Sequence, residues 1–119
     1  MKENVIQDKS FKFAVRIVKL YKFLCEEKKE FVLSKQVLRC GTSIGANIEE
    51  AISGQSDKDF IAKISIAQKE ARETRYWLKL LVETDYITVE QSDSLLNDIE
   101  EINKIIAKIL LTMKNKVQK

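Results

Sequence analysis

Apolar residues recur along most of this chain at alternating spacings of four and three, the period of a helix with one buried face. Val37, Gly41, Ile44, Ile48 and Ala51 form one series; Phe60, Ile64, Ala67, Ala71, Thr74, Leu78 and Leu81 form a second. Leu95, Ile99, Ile102, Ile106, Ile109 and Met113 make a third. Nearer the N-terminus the apolar positions are denser. From Phe11 to Cys25 they fill a little over half of a helical cylinder, with Lys9, Lys12, Arg16 and Lys19 in the remaining arc. The pattern predicts helices over about 9–28, 35–53, 57–83 and 89–116, with residues 1–8 a frayed lead-in.

Capping chemistry supports these boundaries. Ser34 is the expected N-cap of the second helix, and Gly54 suits a left-handed position at its end. Ser56 with Asp59 resembles a capping box, and Thr88 with Gln91 fits one at the start of the fourth helix. Short connections between four amphipathic helices predict an all-α fold, an antiparallel up-down-up-down four-helix bundle forming one domain over 1–119.

Gly41 and Gly45 stand one turn apart inside the second helix, each costing about 1 kcal/mol relative to alanine. Either they are merely tolerated or mark a kink, or another helix approaches closely along them. Ala67 and Ala71 of the third helix are the expected partners, lying roughly opposite if the two helices form a hairpin near Gly54.

Composition narrows the chemistry. The chain has no histidine, which removes Ser-His and Cys-His catalysis, most zinc sites and the Glu-x-x-His ligands of di-iron bundles. Cys25 and Cys40 lack metal-ligand spacing and read as buried free thiols, a disulfide between them being possible but not indicated. No apolar run approaches the ~20 residues needed to cross a bilayer, and no apolar signal core follows Met-Lys-Glu-Asn, so the expected location is the cytoplasm. No cofactor or metal is expected.

Glu49, Glu50, Glu70 and Glu73 are the carboxylates nearest to acid-base or metal chemistry. Lys63, Lys69, Arg72 and Arg75 lie close enough to neutralise Glu70 and Glu73 as ordinary ion pairs. Asn47 is either solvated or buried where it would fix the register of the second and third helices. Charge distribution says more than the net +3: residues 1–30 hold eight Lys or Arg against five acids. In an antiparallel bundle Lys9, Lys12 and Arg16 would share one end with Lys114, Lys116 and Lys119; with Lys19 they make either a phosphate-binding patch or an ordinary solvated surface. The wide apolar arc of the first helix has Leu20 and Phe13 at one edge, Phe11 and Val15 at the other. Together with Trp77 and Leu80 of the third helix, it predicts self-association.

The run Gly-Thr-Ser-Ile-Gly-Ala-Asn-Ile-Glu-Glu-Ala (41–51), followed by Asp59-Phe60, Ile66-Ala67, Lys69-Glu70-Ala71 and Tyr76-Trp77-Leu78, resembles a bacterial four-helix-bundle family. Its members are encoded by intervening sequences within 23S rRNA genes. A more distant branch is similar to the accessory variability protein of diversity-generating retroelements. The resemblance implies a non-enzymatic homopentamer, with nucleic acid (RNA or DNA) bound through a basic surface. A protein-protein interaction scaffold without nucleic-acid contact is the alternative.

Overall fold

The computed structural model describes residues 2–118, with side chains described for 5–117. Four helices make up the fold: α1 (Lys2–Glu26), α2 (Leu33–Ile52), α3 (Asp57–Glu83) and α4 (Val89–Gln118). They form a rod 51 Å long and 21 Å across in both other directions. Each helix packs on its neighbours in sequence, and α4 closes the ring against α1. The side-chain pairings run antiparallel at each seam. Gln7 meets Glu49 and Cys25 meets Ser34; Arg39 meets Glu70 and Glu73 while Glu50 meets Lys63. Lys116 meets Asp57, and Lys9 meets Glu101 while Arg16 meets Asp98 and Ser94.

The core follows the sequence spacing on α3 from Ile64 through Leu81, each member of the series buried. Thr74 is fully buried there because its hydroxyl donates to the Glu70 carbonyl at 2.7 Å. On α4 the buried series runs Leu95, Ile99, Ile102 and Ile106, then steps to Leu110, leaving Ile109 and Met113 half-buried. A straight helix drifts ~20° per heptad, and by this point the drift has moved the inward position on by one residue.

Helix α1 begins at Lys2, not near Lys9. Its inward stripe is Ile6, Ser10, Phe13, Ile17, Leu20 and Leu24, and the polar Ser10 hides the continuity back to Ile6. Leu20 and Phe13, expected at an edge, are core residues, and the outward apolar positions are Val5, Phe11, Val15 and Val18.

The two glycines of α2 face α1. A Cβ on Gly41 would lie 2.8 Å from both Cγ1 and Cγ2 of Ile17, and one on Gly45 would lie 3.3 Å from the Ser10 carbonyl oxygen. The close approach expected from the glycines is therefore present with a different partner. Ala67 and Ala71 are fully buried, but α1 fills the space in front of the glycines.

Helix ends show what the local code did and did not convey. Ser56 accepts from the Asp59 N–H at 3.1 Å. Thr88 and Gln91 form the complete capping box, Gln91 N–H to the Thr88 hydroxyl and Thr88 N–H to the Gln91 amide oxygen. Gly54 is not left-handed; among the described residues the left-handed ones are Lys29 (φ 52°) and Asp85 (φ 67°). Asp85 closes α3, with Tyr86 N–H bonding to Leu81 O and Asp85 N–H to Val82 O. At Gly54 the constraint is space, since a Cβ would sit 3.1 Å from the Ala51 carbonyl oxygen.

Ser34 does not cap α2. Helix α2 begins at Leu33, and the buried carboxylate of Glu30 accepts the N–H groups of Val32, Leu33 and Ser34 at 3.1, 2.9 and 2.7 Å. Burial alone would push the Glu30 carboxyl up, yet the three backbone donors and the Ser34 hydroxyl outweigh it and hold it below the ordinary value of 4.5. One side chain thus serves three of the four orphan donors of a helix start. It also leaves Phe31 and Val32 exposed on the loop.

Two expectations follow. Gly41→Ala should lower stability by about 1–3 kcal/mol as overpacking, more than the ~1 kcal/mol of helix propensity it gains. In urea unfolding, combining it with Ile17→Ala should cost less than the two single changes together; a Gly41→Ala protein as stable as the parent contradicts the contact. Glu30→Ala should cost about 1–2 kcal/mol at neutral pH. Because the folded pKa is lowered, that contribution is present above the ordinary glutamate value and lost as pH falls through the folded one. Melting curves of parent and variant should therefore converge on acidification, and a gap constant with pH would refute the cap.

Candidate functional site

The carboxylates on α3 are held by a residue the sequence reading passed over. Arg39, reaching from α2, pairs with Glu73 through Nη2 and with Glu70 through Nη1 at 3.5 Å. Glu73 also accepts from the Trp77 indole N–H at 3.3 Å. The hydrogen bond that Arg39 donates to Glu73 raises the Arg39 pKa above its usual value, against the lowering effect of burial. Glu70 keeps a buried Oε1 with this ion-pair partner but no hydrogen bond. Lys63, one of the expected neutralising bases, pairs instead with Glu50 across the α2–α3 seam. Lys69, Arg72 and Arg75 make no ion pair among the described residues.

Asn47 does not lock α2 to α3. Its amide donates to the carbonyl and hydroxyl of Ser43, at 2.9 and 3.0 Å, within its own helix. Both cysteines are free, Cys40 buried and Cys25 half-buried. Burial pushes the Cys40 thiol up, away from the thiolate that a nucleophile or metal ligand requires, and a hydrogen bond with Thr74 offsets this only in part. Among the described residues no three His, Cys, Asp or Glu side chains converge on a metal-sized site.

The sequence-derived basic patch comes apart in three dimensions. Lys9 pairs with Glu101 at 3.1 Å, Lys12 with Asp8 at 3.0 Å, and Arg16 with Asp98 at 2.6 Å while also donating to the Ser94 hydroxyl at 2.8 Å. Lys9 lies beside Glu101, and the thirteen residues from there to Lys114 span about 20 Å of helix. The end of α4 therefore projects beyond the start of α1. Lys116 pairs with Asp57 of α3 at 3.4 Å. Only Lys19 and Lys114 of the six expected contacts make no ion pair among the described residues, and they are not neighbours. Lys119 lies outside the described residues.

Uncompensated positive charge gathers on α3 instead. Lys69, Arg72, Tyr76 and Lys79 follow one another at spacings of three, four and three, opposite the Ala67–Ala71–Leu78 core stripe, and all four are exposed. Extended back to Lys58 at the same spacing, this stripe contains no carboxylate. Lys69 and Arg72 are near Glu70 and Glu73 in sequence, but with Arg39 engaging both acids these bases face solvent.

A different surface appears on α1. Phe11, Val15 and Val18 are 66%, 40% and 36% exposed and form a stripe on the side away from the core. Beside Phe11 a shallow cavity of about 240 Å³ opens over Gly45, bounded by Ala14, Thr42 and Ala46. Trp77 and Leu80, expected to extend an outward apolar face on α3, are half-buried within the chain.

The profile of the 23S rRNA-intervening sequence protein family matches residues 2–108. The chain belongs to that family. The family match takes in all of α1–α3 and most of α4. Among solved structures, the chain is similar to a protein of unknown function from the S23 ribosomal protein family of Bacteroides thetaiotaomicron. That protein is 64% identical, with 92% of this chain and 98% of that one covered and a TM-score of 0.91. No curated protein matches the chain. Among the described residues no helix is long and apolar enough to cross a membrane.

Proposed function

We propose that this member of the 23S rRNA-intervening sequence protein family is a non-enzymatic scaffold that self-associates and binds RNA through a basic surface. The observation that carries the reading is the contrast between two outward faces: an apolar stripe on α1 and a basic stripe without carboxylates on α3. A monomer would leave Phe11, Val15 and Val18 in water, next to a groove that a side chain of another copy would fill. Closed symmetry uses such a face without leaving a free end, and the family resemblance makes the ring a pentamer. The family's association with 23S rRNA genes favours RNA as the partner.

The ion pairs of Lys9, Lys12 and Arg16 favour a second reading, an interaction scaffold for proteins with no nucleic-acid contact. Salt separates the two. Phosphate contacts give a log-log fall of affinity with salt, about 0.7 per contact for single strands and 0.9 for B-form DNA. Binding to rRNA-derived fragments that collapses between low and physiological salt supports RNA; no binding at low salt leaves the protein scaffold.

The assembly is tested by light scattering at micromolar concentration. The parent should elute at a multiple of 13.8 kDa, and Phe11→Glu should shift it toward the monomer without loss of helical circular dichroism. A monomeric parent would refute self-association.

A further inference from the structure

Resting on the RNA reading above, we infer that the outward stripe of α3 is a single-stranded RNA platform, with Tyr76 stacking one base between flanking phosphate contacts. Tyr76 is 59% exposed. Its ring meets the edge of Trp77 at 5.2 Å between centroids and 77° between planes. Trp77 is in turn fixed by its indole bond to Glu73, which Arg39 holds from α2. The exposed ring is therefore backed by a chain of contacts reaching into the next helix, so little side-chain freedom remains to be lost when a base stacks on it.

Charge complements the ring. Arg72 lies one turn before Tyr76 and Lys79 one turn after, with Lys69 a further turn back, and none makes an ion pair among the described residues. From Lys69 to Lys79 the stripe is about 15 Å long, the axial length of roughly four nucleotides of one strand. The acids in this part of α3, Glu70 and Glu73, are turned to Arg39, which removes the repulsion they would offer a phosphate. Bases in a duplex are already stacked on each other and present no free face to a lone aromatic ring. Tyr76 therefore adds affinity only for unpaired nucleotides.

The test uses the full chain and a fluorescein-labelled oligouridylate of about 12 nucleotides, within the site sizes of stacking-type binders, followed by anisotropy over a salt series. The parent should bind, and emission of its single tryptophan, Trp77, should change as the oligomer is added. Tyr76→Ala should weaken binding about tenfold, with Tyr76→Phe close to the parent. Lys69→Gln/Arg72→Gln/Lys79→Gln should reduce the salt slope by about 2, near 0.7 per contact for single strands. A duplex of the same length should bind more weakly than the oligouridylate and should not respond to Tyr76→Ala. All the substituted side chains are exposed, and circular dichroism checks that the helices persist.

Parent binding that survives the α3 changes but is lost on replacing Lys9, Lys12, Arg16 and Lys19 with Gln would overturn the platform and leave the RNA reading standing. Equal affinity for the corresponding single-stranded DNA, or equal loss for Tyr76→Phe and Tyr76→Ala, would also overturn it as stated. No binding of any RNA by the parent at low salt would overturn both.

Discussion

The close approach of α1 and α2 at Gly41 and Gly45 sets the geometry on which the other surfaces depend. Without side chains there, Ile17 and Ser10 sit directly against the α2 backbone. That contact fixes which face of α1 turns inward. With Ser10, Phe13 and Ile17 against the bundle, Lys9 and Arg16 fall beside α4, while Phe11, Val15 and Val18 point away from the core. The glycines thus decide, through rotation of one helix, that Lys9 and Arg16 meet Glu101 and Asp98 and that the apolar excess of α1 is displayed.

Ion pairing then sorts the cations into two sets. Lys9 and Arg16 of α1 face acids on α4 while Lys12 pairs with Asp8 on its own helix, and pairs at this level of exposure contribute only about 0.2–1 kcal/mol each. Their larger effect is to cancel positive potential at that seam. On the far side of the bundle Arg39 has the opposite effect: by engaging Glu70 and Glu73 from α2, it leaves Lys69 and Arg72 of α3 without those two acids as partners. Net charge stays at +3 throughout, and position alone makes one face neutral and another basic.

Much of the fold was legible from spacing. The α3 core from Ile64 to Leu81, the Thr88–Gln91 box and the Ser56 cap follow from rules acting within one turn, where sequence distance and spatial distance agree. What was missed depends on partners distant in sequence or on unusual local solutions. The start of α1 was hidden because Ser10 occupies a core position against Gly45, and no periodicity of apolar residues reports a serine. Glu30 reads as a surface acid in a run of charges, though it caps α2 with three bonds. The glycine pair was recognised as a close approach, but α1 and α3 both flank α2 and the series on α2 alone does not choose between them. The ion pairs of Lys9 and Arg16 went unforeseen for a related reason. Counting charges along α1 takes no account of α4, whose acids lie some ninety residues away in sequence, as between Lys9 and Glu101.

Hydroxyl-radical footprinting with mass spectrometry tests the central claim most directly, because it reads the two outward faces in one sample. Phe11 and Tyr76 are both reactive residue types and both exposed on the single chain. The account predicts that Phe11 is protected in the free protein at micromolar concentration and becomes reactive on dilution to the monomer, while Tyr76 is reactive until single-stranded RNA is added. Phe11 as reactive as Tyr76 at every concentration, or RNA that protects α1 and leaves Tyr76 unchanged, would contradict it.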